Sequence, residues 1–337
     1  MKIAILAPLR FPIAEPFAGG LEIHTYLLAH GLAKRGHEVT LFAHPASDSA
    51  FKLVACPVRE GVGSVAYAFA MRKAMRRIAA GDFDVVQNNS IHFLPPLLAR
   101  ALPFPMVTTL HTPPYKSHRF TAGLTRRSGS HTYVAISRFL GEQWSSLIGD
   151  YSVVHNGVDL AAWPFSPVAE AKTAVWYGRF TPEKGAEFAV EAARLAGYRL
   201  TLAGPVYDSV YFDEKIAPLL NDNIIYAGHL GQTDLAALVG KSAVGLVSSV
   251  WEEPFGLAYV EMLACGTPVA GFRSGAAAEI ITAETGILVE KRNVQALAQV
   301  LGEVERSKDR RACRQRAEAT FPVNRMVERY LELYEKL

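Results

Sequence analysis

The feature that most constrains this chain is a repeating order of short apolar run and helix-period stretch. Lys2–Ala7 reads as a strand, Gly20–Arg35 as a helix, and Glu38–Ala43 as a second strand beyond the stop at Gly36. A basic amphipathic helix is predicted over Ser64–Ala80 and another helix over Phe93–Ala101, with strands at Asp84–Gln87, Met106–Leu110 and Thr132–Ile136. The same order restarts at Ala174–Tyr177. It continues through a helix at Gly185–Leu195, strands at Arg199–Ala203 and Ile224–Ala227, a helix at Thr233–Gly240 and a strand at Val244–Val247. A helix over Gly256–Ala264, a strand at Pro268–Gly271 and helices at Val294–Glu305 and Val323–Leu337 follow. Apolar strands separated by helices predict parallel sheets covered on both faces. A chain of 337 residues exceeds the usual single domain. The expectation is two doubly wound α/β domains, at 1–155 and 171–322, joined by a linker at 156–170 that contains Trp163-Pro164 and Ser166-Pro167. Ligands of such sheets bind beyond the carboxyl ends of the strands, so two domains facing across a cleft make that cleft the default site.

Half of the residues are apolar, enough for two cores, which excludes disordered, collagen-like and mini-protein classes. Cys56, Cys265 and Cys313 are an odd number without CxxC spacing and indicate neither a disulfide framework nor a zinc site. The apolar run at the start is too short for a signal peptide, and no run reaches about 18 apolar residues, so a soluble, cytoplasmic protein is expected. The net charge of +3 conceals an asymmetry: residues 1–155 have 16 Lys/Arg against 9 Asp/Glu, and residues 156–337 have 19 against 23. A basic first half suits a phosphorylated or lipid-linked partner or peripheral contact with a membrane face, and the cluster Arg72, Lys73, Arg76, Arg77 is its densest part. Uneven solubility charge explains the numbers equally well. Nucleic acid is not expected, because the cations are scattered and no binding motif accompanies them.

The dinucleotide fingerprint GxGxxG is missing after the first strand. A long connection, Pro8–Gly19, leads instead to Gly19-Gly20 at a helix start, where free N–H groups suit an anion and a simple turn is the plain alternative. After the first strand of the second half comes Gly178-Arg179-Phe180-Thr181-Pro182-Glu183-Lys184-Gly185. Arg179 and Lys184 there either neutralise a diphosphate or are solvated loop charges. The segment Ser249–Glu261 sets Glu252, Glu253 and Glu261 among apolar residues, where buried carboxylates need partners. They could accept hydrogen bonds from sugar or ribose hydroxyls, near backbone N–H groups of Phe255, Gly256 and Leu257; a helix N-terminal acceptor and a solvated glutamate are the plain reading.

The spacing of Glu253 and Glu261, inside EPFGLAYVEMLACGTPV, resembles the E-x7-E motif of the family 4 glycosyltransferases of GT-B fold. The resemblance extends to GRFTPEKG at 178–185, to Asn156-Gly157-Val158-Asp159 and to Gly19-Gly20, and so covers nearly the whole chain. It implies a retaining enzyme that moves a sugar from a nucleoside diphosphate to an acceptor, with no cofactor and no metal. Glu253 would bind donor-sugar hydroxyls and Glu261 the ribose. Arg179 and Lys184 would hold the diphosphate, with Gly19 and Gly20 closing on it, and the base would lie near Gly228, His229 and Leu230. His111, in Leu110-His111-Thr112-Pro113, matches the family's active-site histidine, and the helix 323–337 would cross back to the first domain. The WEEPFG form resembles enzymes that use UDP-sugars, so a UDP-glucose-like donor is favoured over GDP-mannose, with a saccharide, lipid-linked or otherwise anionic acceptor. No carboxylate in the motifs is an evident nucleophile, which favours front-face retention over double displacement. One departure stands at Gly275-Ala276-Ala277-Ala278-Glu279, where the family commonly has a glycine pair followed by x-Pro-Glu. The rival readings are a nucleotide-sugar epimerase of the same fold, a non-catalytic nucleotide-sugar sensor and a nicotinamide-dependent oxidoreductase.

Overall fold

A computed structural model describes residues 1–48, 50–59, 61, 63–125 and 131–337. The chain divides into two compact units: unit 1 is 1–157 together with 323–337, and unit 2 is 158–322.

Unit 1 is built from β1 (Lys2–Leu6), α1 (Gly20–Lys34), β2 (Glu38–Ala43), β3 (Lys52–Ala55), α2 (Ser64–Ala79) and β4 (Val85–Asn88). Then come α3 (Leu94–Leu98), β5 (Met106–Leu110), α4 (Lys116–Thr125), β6 (His131–Ala135), α5 (Arg138–Ile148) and β7 (Ser152–Val153). All seven strands are parallel, in the order β3-β2-β1-β4-β5-β6-β7. Unit 2 has β8 (Glu170–Tyr177), α6 (Ala186–Ala196), β9 (Arg199–Ala203), a short α7 (Ser209–Tyr211), β10 (Ile224–Tyr226), α8 (Gln232–Lys241) and β11 (Ser242–Val247). It continues with α9 (Leu257–Ala264), β12 (Val269–Phe272), α10 (Ala277–Ile280), β13 (Gly286–Val289), α11 (Val294–Ser307) and α12 (Arg310–Thr320). Its six parallel strands run β10-β9-β8-β11-β12-β13. In both sheets the strand order reverses beside the first strand, between β1 and β4 and between β8 and β11. That switch point opens a crevice at the carboxyl ends of the strands.

Strands covered on both faces read as unbroken apolar runs. On one face of the first sheet Ile3, Ile5 and Val107 pack with Leu28 and Leu32 of α1 and with the last helix, α13 (Val323–Tyr334), and on the other Leu6, Val86 and Met106 pack with α2. Helices α1 and α13 approach closely at Gly31, where an added Cβ would lie 2.4 Å from Val327 Cγ2. Tyr334 donates from its hydroxyl to Gln87 Oε1 (2.8 Å), and the Tyr330 and Thr109 hydroxyls are 2.8 Å apart. Gln87 Nε2 in turn donates to Asn89 Oδ1 and Thr109 Oγ1, so α13 is tied by a buried polar network to the carboxyl ends of β4 and β5. On α2, Tyr67, Met71, Met75 and Ile78 face the core, leaving Val65, Phe69, Arg72, Lys73, Arg76 and Arg77 exposed. No helix among the described residues is long and apolar enough to cross a membrane.

The sequence reading missed several elements. Strands β3, β7 and β13 have only four, two and four residues. Helices α4, α5 and α12 were also overlooked, and α12 buries only Cys313 and Ala317 in an otherwise polar run.

Candidate functional site

The segment Gly178–Gly185 leaves the end of β8, and Ser248–Gly256 leaves the neighbouring β11. Hydrogen bonds fasten the two together. Val250 N and Trp251 N both donate to Glu183 O (3.0 and 3.2 Å), as does Ser249 Oγ (3.1 Å), and Ser248 Oγ donates to Gly185 O (2.7 Å). Gly185 has φ +64°, and a Cβ there would lie 2.5 Å from Ser248 O, so the turn accepts only glycine. This clamp sets Lys184 against Glu253: Nζ donates to Oε1 at 2.5 Å, with the lysine side chain a quarter exposed and the glutamate one tenth. The pairing meets the desolvation problem that a buried carboxylate poses. A third loop braces Glu253 from behind. Gly275 (φ +53°) comes so near that a Cβ would sit 2.1 Å from Glu253 O, and Ala276 N donates to that oxygen at 2.9 Å. Gly275 N also donates to Glu252 Oε2 (2.7 Å), and Glu252 pairs with Lys291. The methyl of Ala276 is fully buried, so the departure from a glycine pair at this position is accommodated.

Gly256 (φ +91°) turns the chain into α9, and a Cβ there would strike the Tyr259 ring at 2.6 Å. Tyr259 N donates to Gly256 O (3.1 Å), while the N–H groups of Leu257 and Ala258 at the helix start have no preceding turn to donate to. The Tyr259 hydroxyl is buried without a hydrogen-bond partner among the described residues, and burial, then the Glu253 charge, raises its pKa. One turn further, Glu261 is buried rather than solvated. Tyr177, the last residue of β8, donates to Glu261 Oε2 (2.9 Å), with Ala258 O at 3.1 Å. Burial pushes the Glu261 carboxyl up to about 7, although the Tyr177 hydrogen bond opposes the rise. Arg179 lies elsewhere on its loop, its guanidinium 5.4 Å from the centre of the Tyr207 ring. Gly228, His229 and Leu230 follow β10; Gly228 (φ +82°) accepts from Gly204 N, and His229 is exposed.

In unit 1, Gly19 caps α1 with an extended backbone (φ 179°), and Gly20 begins the helix. His111 follows β5 and is buried, as is His24 in the second turn of α1; their rings meet edge to face with centres 4.7 Å apart. His24 Nδ1 lies 2.9 Å from Asn156 Oδ1, while Nε2 of each ring has no hydrogen-bond partner among the described residues. Burial holds His24 down to about 4 and His111 well below the ordinary range, so both imidazoles are neutral at pH 7. Among the described residues no three His, Cys, Asp or Glu side chains come together as a metal site requires.

Two family profiles account for residues 18–320: Glycosyltransferase Family 4 matches 18–162, and Glycosyl transferases group 1 matches 163–320. The chain belongs to the family 4 glycosyltransferases. It is 28% identical to a glycogen synthase of Mycobacterium tuberculosis, over 90% of this chain and 87% of that protein. It is also 28% identical to a phosphatidyl-myo-inositol mannosyltransferase of Mycolicibacterium smegmatis, over 80% and 75% of the two chains. Among solved structures it resembles sucrose-phosphate synthase from Thermosynechococcus elongatus (TM-score 0.84, 20% identity, 100% and 99% covered). It also resembles Anabaena HepE in complex with UDP-glucose (TM-score 0.78, 18% identity, all of both chains). The fold is GT-B, and the transferase assignment displaces the epimerase, sensor and oxidoreductase readings.

For this glycosyltransferase, the structure brings Lys184, Glu253 and the start of α9 together at the switch point of unit 2, and sets Glu261 beside Tyr177. Arg179 does not join the Lys184–Glu253 pair. Tyr177 and His24 escaped the sequence reading. A phenol at the last position of the strand preceding Gly178 was a usable signal for the first. Nothing in the spacing of the histidines singled out His24.

Proposed function

We propose that this glycosyltransferase takes a sugar from a UDP-sugar, UDP-glucose or a close relative, and passes it to a saccharide or lipid-linked acceptor with retention and without a metal. The observation that carries the reading is the Lys184–Glu253 pair at the switch point of unit 2. Lys184 is the cation for a departing diphosphate and Glu253 the acceptor for donor-sugar hydroxyls, so donor binding exchanges one partner for another on each side of the pair. Arg179 supplies a second cation. Glu261 accepts from the ribose hydroxyls beside Tyr177. In the front-face step the bond from the anomeric carbon to the phosphate oxygen breaks, and the bond to the acceptor oxygen forms on the same face. The acceptor proton passes to the departing diphosphate oxygen. His111, neutral and buried, lies beside the sugar in this scheme.

Support for UDP comes from the solved neighbour in complex with UDP-glucose, and for a glucosyl unit from the glycogen synthase relative. The mannosyltransferase relatives favour mannose as the second choice of sugar. A thermal-shift panel of UDP, GDP and ADP decides the base: a ligand at about 100 times its Kd adds about 2.7 kcal/mol. UDP is expected to raise the Tm most; a response to GDP without one to UDP overturns the donor assignment. The anomeric configuration of the product, read by NMR, checks retention.

A further inference from the structure

Unit 1 contains a small cavity at the carboxyl ends of β4 and β5, where α3, α4 and α5 meet. Its volume is about 20 Å³, room for one water-sized group. Ile91, Pro96, Tyr133 and Trp144 are among its walls, and among the described residues no Lys, Arg, Asp or Glu lines it. Nearly all of its polar side chains are engaged. The Trp144 indole donates to Thr112 O (2.8 Å), Tyr133 pairs with Thr125, and Asn88 Nδ2 donates to Thr108 Oγ1. Two buried ring atoms, His118 Nδ1 and His111 Nε2, have no hydrogen-bond partner among the described residues.

The tautomer of His118 follows from its other nitrogen. Nε2 lies 3.1 Å from Ile91 O, and a carbonyl can only accept, so the proton is on Nε2 and Nδ1 presents a lone pair. The backbone that presents that carbonyl is itself unusual, since Ile91 is a β-branched residue at φ +45°. Strain of this kind concentrates at functional positions. A buried acceptor without a donor is costly, and the group that satisfies it must bring a hydrogen. We propose that this cavity is a subsite for one uncharged hydroxyl-bearing group of the acceptor saccharide, whose O–H donates to His118 Nδ1 while the aromatic walls cover the carbon that bears it. Burial disfavours the protonated form of both histidines, so neither ring offers a cation to a phosphate or carboxylate. The excess of cations in unit 1 lies elsewhere, and a charged group on the acceptor would not enter this pocket.

The inference rests on the transferase reading, because only an enzyme with a saccharide acceptor needs such a subsite. Its test reads sugar binding rather than turnover. Glucose, galactose, mannose and glucose 6-phosphate are titrated against the full-length protein by saturation-transfer NMR, with His118→Asn, His118→Gln and His118→Phe alongside. At least one neutral sugar is expected to bind the parent protein. Phe and Gln weaken it about tenfold, Asn preserves it because its amide oxygen occupies the place of Nδ1, and the 6-phosphate gains nothing over glucose. Binding unchanged in Phe overturns the proposal, as does rescue by Gln rather than Asn, which would mark His118 as a support for Ile91. Tighter binding of the 6-phosphate, or no neutral sugar bound at all, also overturns it. If Phe does not fold, monodeoxy glucoses decide: none weaker than glucose overturns it. A failed UDP assignment leaves these sugar titrations intact, so the two outcomes are distinguishable.

Discussion

Replacing Glu261 by Gln removes a carboxyl that burial holds at about 7, against 4.5 for an ordinary glutamate. The folded protein takes up this proton more readily than the unfolded chain does. The stability it contributes is therefore complete below the unfolded value of 4.5 and is lost as the pH rises through 7. A gap of about 2.5 pH units at about 1.36 kcal/mol each sets the total near 3 kcal/mol, with about 2–3 kcal/mol of it lost between pH 5 and pH 8. For a unit of this size, about 2–4 °C per kcal/mol makes the fall about 5–10 °C in Tm. Thermal melts of the parent and Glu261→Gln at four pH values, followed by tryptophan fluorescence, measure it, because Trp163, Trp176 and Trp251 all lie in unit 2. The parent should lose stability relative to the variant as the pH rises. A UDP titration adds a second reading, since ribose hydroxyls donate better to a carboxylate than to a carboxylic acid. The ionised fraction rises from about a tenth at pH 6 to about nine tenths at pH 8, so UDP affinity should gain about tenfold in the parent beyond the change in the variant. Titration of the nucleotide's own phosphate is common to both proteins and cancels. Parallel melting curves refute the buried-carboxyl argument, and parallel affinity curves refute the ribose contact.

Lys184→Met strands Glu253 without its counter-charge and should cost about 1–3 kcal/mol in urea unfolding, discounted from a fully buried pair because the lysine is partly exposed. Adding Glu253→Gln should recover at least half of the loss in a double-mutant cycle, and simple additivity refutes the coupling. Tyr334→Phe removes the donor to buried Gln87 Oε1 and should cost about 1–3 kcal/mol. Tyr330→Phe should cost about 1 kcal/mol or less, because Thr109 keeps its bond from Gln87 Nε2; equal losses contradict this reading. The outer face of α2, with Phe69 exposed among Arg72, Lys73 and Arg76, should carry the protein onto vesicles containing anionic phospholipid in co-sedimentation. The triple change of those three cations to Glu should abolish that binding, and equal binding to uncharged vesicles argues against it.

Much of this architecture was legible because buried parallel strands and glycine stops leave strong local marks. The runs Lys2–Leu6, Arg199–Ala203 and Ser242–Val247 are apolar enough to be recognised alone. Helix α12 is almost wholly polar and displays no clear apolar stripe, whereas α5 has one in Leu140, Trp144 and Ile148 but is short and carries Gly141 in its interior. The site divided in the same way. Glu253 and Glu261 stood out because charges within apolar sequence demand an explanation, and Lys184 because it crowds the gap between a strand's carboxyl end and the next helix. That Lys184 and Glu253 face one another depends on a clamp between segments 63 to 69 residues apart, which no local pattern encodes. His24 and His111 meet for the same reason, across two separate crossovers of the sheet. The family resemblance supplied a role for His111 but was silent about the ring that packs on it.

Helix α13 has a consequence for how the chain is made. Unit 2 is one uninterrupted stretch, 158–322, whereas unit 1 needs residues from both sides of it. Domains generally fold as units while synthesis proceeds, the earlier-made ones first. Here the unit begun first is the last to be completed. Gln87 and Thr109, made early, wait for Tyr334 and Tyr330 before their buried network can close. During that interval the apolar face that α13 later covers, around Leu28, Leu32 and Val107, is open to water and to other chains. Aggregation during expression should therefore track the docking of α13 more than the folding of unit 2.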